Sequence, residues 1–134
     1  MAENGDITPI YSELKHSSVQ GTYTITKCTT QEIFDSAVNY SAEHDDTFVV
    51  SYPKCGTTWS LNIVDLLLRG NPTAKRLYDT YTFIDHNGAE AVLSKPRPRL
   101  IKSHFYFEMI PWNPKAKYVF VGRLYVVSGF LLYF

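Results

Sequence analysis

Two short stretches of this 134-residue chain carry side chains able to do chemistry together. The first, Tyr52-Pro53-Lys54-Cys55-Gly56-Thr57-Thr58-Trp59, presents a lysine, a glycine and two hydroxyls in a row. Set before a helix, such a run holds an anion. The first helical N–H groups lack internal partners and lie at the positive end of the helix dipole, and Lys54 adds a full charge. The second stretch, Leu100-Ile101-Lys102-Ser103-His104, puts a lysine and an imidazole two positions apart, hence on one side of an extended backbone. His104 can take a proton near neutral pH, and Phe105-Tyr106-Phe107 supply apolar surroundings that exclude water.

These groups need elements to carry them. Thr47-Phe48-Val49-Val50-Ser51 reads as a strand buried on both faces, as in a parallel sheet covered by helices. Pro53 ends the ladder, Gly56 permits a tight path, and Thr57 or Thr58 is expected to cap a helix running to Arg69. On that helix Trp59, Ile63, Val64, Leu67 and Leu68 make an apolar face read as core, except that Trp59, beside the loop, can offer its ring to a base. Gly70-Asn71-Pro72 stops it. Leu100 to His104 and Tyr118 to Val121 read as further strands, and in such a sheet reactive residues gather at the strands' carboxyl ends.

Upstream, Thr29 and Glu32 fit a capping box for a short helix whose Ile33, Phe34, Ala37 and Val38 share a face, and Thr22 to Thr26 suggests an edge strand. Asn39 to Asp46 reads as a loop. Between the two reactive stretches, Tyr78, Tyr81, Phe83 and Ile84 are core or the wall of an apolar pocket, whereas Asp85, His86 and Glu90 read as a solvated loop and helix start.

Composition bounds the function. Thirteen basic residues balance thirteen acidic ones, so no overall field favours nucleic acid or a membrane surface, and any anion site must be local. Met1 to Asp6 lacks a basic segment followed by an apolar run, which makes the cytoplasm the expectation. Cys28 and Cys55 suit reduced thiols, and no Cys/His or carboxylate cluster suggests a metal. Leu124 to Phe134, mostly apolar, falls short of the ~20 residues that span a bilayer. The lysine precedes Gly56 by two positions instead of following the last glycine, which separates the loop from the common nucleotide loop. A strand, a loop and a helix sharing one glycine also form ordinary turns, so spacing alone leaves both readings open.

The full octapeptide Tyr52 to Trp59 resembles the 5′-phosphosulfate loop of the cytosolic sulfotransferases. Asp45 to Val50 looks like that family's first strand, Pro96 to His104 like its catalytic-base segment, and Pro111 to Tyr118 like the lead-in to its 3′-phosphate strand. The resemblance covers roughly Thr30 to Arg123. It implies an α/β fold with a P-loop-NTPase-like parallel sheet and flanking helices, and residues 1–134 as the N-terminal part of a single sulfotransferase domain.

The implied reaction moves a sulfuryl group from 3′-phosphoadenosine 5′-phosphosulfate (PAPS) to a hydroxyl (phenol, steroid or alcohol) or amine of a small apolar acceptor, without a metal. His104 is then the base, Lys54 serves the leaving phosphate, and Lys102 supports the sulfuryl oxygens or positions the histidine. Lys54, Cys55, Gly56, Thr57 and Thr58 would hold the 5′ end, Trp59 the adenine, and Arg123 and Ser128 the 3′-phosphate. Ser128 stands five positions past Arg123 where the family has eight, and the family's self-association motif and later cofactor loop lie beyond this length. The alternative expectation is an inactive truncated or spliced form that retains partial nucleotide binding.

Overall fold

The computed structural model describes residues 30–70, 77–123, 125–127 and 130–132. The expected edge strand at 22–26, Cys28 and Ser128 lie outside them. Helix α1 (Gln31–Val38) leads by a loop to β1 (Thr47–Ser51), followed by α2 (Thr57–Arg69), a one-turn α3 (Leu77–Thr80), β2 (Tyr81–Phe83), α4 (Ile84–Leu93), β3 (Leu100–Ser103) and β4 (Lys117–Val121). A short hairpin of β5 (Tyr125–Val127) and β6 (Phe130–Leu132) ends the described chain.

The main sheet is parallel, in the order β2-β3-β1-β4. Registers of Thr47 with Leu100 and Lys117, and of Phe83 with Lys102, bring the carboxyl ends of all four strands to one edge. The chain runs from β3 to β4 across β1, so the loops leaving β1 and β3 diverge and a crevice opens between them.

All five residues of β1 are buried, as an unbroken β-branched and aromatic run requires when helices cover both faces. Alternation then sorts the side chains. Phe48 and Val50 join Phe34 and Ala37 of α1, Ile84 and Val92 of α4, and Ile101, whereas Val49 joins Leu61 of α2, Tyr81 and Leu100. Leu61 is fully buried, and truncating such a side chain to alanine costs about 2–5 kcal/mol. Helices α1 and α4 approach closely at Gly88 (φ 72°, ψ −178°), where an added Cβ would lie 3.1 Å from Ser36 Oγ. Strand β4 is the thinly covered edge, with Phe120 53% exposed.

Three local expectations are corrected. The cap of α1 is Thr30, whose hydroxyl accepts from Ile33 N–H, so the helix begins one residue later than a Thr29–Glu32 box would set it. The cap of α2 is Gly56, without a side-chain bond, and neither Thr57 nor Thr58 fills that role. The buried face of α2 is Thr57, Leu61 and Asp65, with Val64 and Leu68 packed beside them, while Ile63 and Leu67 face outward. Asp65 is tolerated on the buried face because Arg69 Nε donates to it at 2.6 Å.

Candidate active site

The loop from Tyr52 to Gly56 makes its turn with two left-handed residues, Lys54 (φ 68°) and Gly56 (φ 101°). The glycine conforms to expectation, whereas a lysine there is unfavourable by roughly 1–2 kcal/mol. Between them Cys55 turns inward, and its amide donates to Tyr52 O at 3.3 Å. The loop therefore presents the Lys54 and Thr58 side chains and the start of α2 to solvent, and keeps the Cys55 thiol in the protein. Thr57 is buried, and its hydroxyl shares a short hydrogen bond with Ser51 Oγ.

Across the crevice, β3 delivers Lys102 and His104. A cavity of about 360 Å³ is lined by Pro53, Lys54, Gly56, Thr57 and Thr58 on one side and by Lys102 and His104 on the other. Six of the residues singled out in the sequence thus meet around one space. A second cavity, about 460 Å³, opens beside it between Ser51, Tyr52, Tyr106, Phe107 and Phe120, and His104 also lines this one. Trp59 projects from the first turn of α2 with 74% of its surface exposed, and is not core. Arg123 is exposed two residues past β4, at the same edge of the sheet, outside both linings.

The ring of His104 is held at Nδ1, 2.6 Å from Ser51 O. A carbonyl only accepts, so Nδ1 carries the proton and Nε2 keeps its lone pair. Burial pushes the imidazole pKa below its usual 6.5, the Ser51 carbonyl opposes that by bonding the protonated nitrogen, and Lys102 and His86 lower it further. The ring is therefore neutral and basic at physiological pH. Lys102 is likewise lowered by burial and partly restored by Asp85, and its ammonium stands 4.1 Å over the Phe83 ring. Phe83 meets His104 edge-on at 5.1 Å and stacks on His86 at 4.2 Å.

Sequence reasoning missed several members of this site. Ser51 reads only as the end of a strand, and Asp85 as a solvated acid. Asp85 is instead 2% exposed, accepting from Ser103 Oγ at 2.7 Å and from His104 N–H at 2.8 Å. His86 is half-buried, and burial followed by Lys102 lowers its pKa. Their only sequence signal is an acid and a histidine directly after a short aromatic strand, which does not reveal a partner 18 or 19 positions away. Among the described residues no group of three or more His, Cys, Asp or Glu is arranged to hold a metal, and no helix is long and apolar enough to cross a membrane.

Residues 44–124 match the sulfotransferase domain family model. The chain is 32% identical over 107 residues to human sulfotransferase 6B1, covering 75% of this chain and 35% of that protein. It is 27% identical over 124 residues to human sulfotransferase 1C2, covering 83% and 41%. In structure it is similar to a putative steroid sulphotransferase of Arabidopsis thaliana, with a TM-score of 0.54 at 20% identity, covering 87% of this chain and 52% of that one. The chain thus spans about 35–41% of the length of these curated relatives.

Proposed function

The chain belongs to the sulfotransferase family, and from that premise we propose that residues 1–134 are the N-terminal part of a single sulfotransferase domain carrying the reacting centre for sulfuryl transfer from PAPS. The acceptor is a hydroxyl or amine on a small apolar molecule. One observation carries this reading: His104 is the residue shared by the linings of a basic cavity and an aromatic one. A donor in the first and an acceptor in the second would meet at its imidazole.

PAPS supplies an activated sulfuryl group on a phosphate that leaves as an anion. The chain's own residues handle the charge at each end. Nε2 of His104, left with its lone pair by the Nδ1 bond to Ser51, takes the acceptor's proton as attack proceeds. Lys54 and the uncapped amides at the start of α2 stabilise the negative charge that grows on the leaving oxygen. The Lys102 ammonium is drawn to the sulfuryl oxygens, while Thr57 and Thr58 offer hydroxyl and backbone donors to the 5′-phosphate. Trp59 gives the adenine an exposed ring, and Arg123, with Ser128 beyond it, suits the 3′-phosphate. Phe107, Phe120 and Tyr106 make the neighbouring wall apolar, which fits an aromatic or steroid-like acceptor. A soluble, cytoplasmic enzyme is consistent with these substrates.

The test compares the chain with Lys54→Met and His104→Gln, measuring binding of adenosine 3′,5′-bisphosphate by calorimetry and transfer from PAPS to a phenol. Lys54→Met should lose both affinity and turnover, the latter by about 10²–10³-fold. His104→Gln should keep affinity and lose turnover by roughly 10²–10⁴-fold. Wild-type turnover of a phenol by His104→Gln would remove His104 as the base.

A further inference from the structure

We propose that Asp85 is a positioning residue for this site, fixing through its carboxylate the main chain that carries Lys102 and His104. The inference rests on the sulfuryl-transfer reading for its purpose, and on geometry for its content. Strand β3 ends at Ser103, so the next two amides leave the sheet ladder at a buried place where an unpaired donor is costly. Asp85, in the first turn of α4, reaches across to meet that need. One carboxylate oxygen accepts from Ser103 Oγ at 2.7 Å, the other from His104 N–H at 2.8 Å, and Ser103 Oγ in turn accepts from Phe105 N–H at 3.0 Å. One carboxylate and one hydroxyl thus satisfy three consecutive residues.

The consequence for His104 is support at two points. Asp85 holds its backbone from the α4 side, and Ser51 O holds its ring from the β1 side at 2.6 Å. With both ends fixed, Nε2 points along one line and stays between the two cavities. A barely exposed carboxylate also sets the local charge balance. The groups around Lys102 are Asp85 and His86 from α4, His104 from its own segment, and Lys54 across the cavity from the β1–α2 loop. Asp85 is the negative member of that set. It raises the Lys102 pKa against the burial that lowers it.

The experiment is nuclear magnetic resonance of the whole 134-residue chain labelled at histidine and lysine, in wild type, Asp85→Asn and Asp85→Ala. The ring nitrogens report the His104 tautomer, and the lysine side-chain carbons report the Lys102 titration. Asp85→Asn keeps an acceptor while removing the charge, so the His104 tautomer should persist and the Lys102 titration should move to lower pH. Asp85→Ala removes both, so the ring should lose its single tautomer as well. A folded Asp85→Ala with the wild-type tautomer and Lys102 titration would overturn the proposal and leave Asp85 as a filler of space. Should Asp85→Ala fail to fold, Asp85→Asn decides through the His104 backbone amide, which loses its charged acceptor: an unchanged amide shift together with an unchanged Lys102 titration overturns the proposal. Neither readout uses nucleotide or acceptor, so a chain that transfers no sulfuryl group would still give either answer.

Discussion

Gly56→Ala separates the backbone of the loop from its side chains. Gly56 has φ 101° and ψ 19°, and a Cβ built there meets nothing within 4 Å. The change therefore costs backbone strain alone, about 1–2 kcal/mol for an L residue held at positive φ. In a chain of this size each kcal/mol moves Tm by about 3–6 °C, so a loop that keeps its shape should melt roughly 3–12 °C lower. A loop that relaxes toward negative φ would escape part of that loss, but would turn its amides away from the cavity. Each charge-assisted hydrogen bond lost to a phosphate is worth about 1.5–3 kcal/mol. That corresponds to roughly 10- to 150-fold in Kd for adenosine 3′,5′-bisphosphate. Gly70→Ala is the matched control: φ is 73°, the space is equally open, and the residue caps the far end of the same helix. It should show the thermal loss without the loss of affinity. Thermal denaturation and calorimetry on the three proteins give both numbers. Equal affinity and equal Tm in Gly56→Ala would refute the reasoning, because neither the strain nor the anion-holding backbone would then exist.

Trp59→Ala should weaken nucleotide binding by about 1–3 kcal/mol if the ring stacks on a base, with Trp59→Phe costing less. Since the ring is 74% exposed, stability should change by no more than about 0.5 kcal/mol, and a large fall in Tm with unaltered affinity would return Trp59 to the core. Turnover should fall on both sides of neutrality: on the acid side as His104 protonates, at a pH below 6.5, and on the alkaline side as Lys102 loses its charge, below its usual 10.5. A pH–rate profile locates both limbs, and an acid limb above 6.5 would contradict the burial of the ring. Stability has its own sign. His104 and His86 bind protons less readily folded than unfolded, so their contribution is present above 6.5 and is lost as pH falls through the folded values. Melting between pH 5 and 7.5 should show this slope, and His86→Gln should flatten it.

What the sequence revealed and what it hid follow from the reach of each interaction. The buried strand at Thr47–Ser51, the turn glycine at 56 and the approach of Lys102 and His104 to the loop depend on local pattern and on the rule that parallel strands present their carboxyl ends together. Ser51, Asp85 and Ser103 depend on pairs 18 to 53 positions apart, which leave no periodic trace. A buried acid looks the same in sequence as a solvated one, which is why the sequence places Asp85 in solvent and the structure buries it. The face of α2 differs from its sequence pattern for a similar reason. Five apolar residues suggest one stripe, but Leu61 enters the core beside an Asp65 that Arg69 neutralises, and Ile63 and Leu67 stay outside. The cap of α2 falls to Gly56 because helical backbone begins at Thr57, directly after the left-handed glycine, and the Thr57 hydroxyl bonds Ser51.

The Ser51–Thr57 bond links one lining residue of each cavity. Ser51 Oγ has two neighbours, Thr57 Oγ1 and, at 3.4 Å, His104 Nδ1, while the carbonyl of the same residue holds the imidazole. With Thr57 as the donor in that bond, an anion that draws its proton takes it from Ser51, whose Oγ then has His104 Nδ1 as its other neighbour; with Ser51 as the donor, Thr57 serves both at once. In the first arrangement occupancy at the loop and protonation of His104 are coupled quantities, and coupling between equilibria is reciprocal. A ligand at α2 that shifts the titration of His104 must itself bind with an affinity that depends on pH over the same interval and by the same factor.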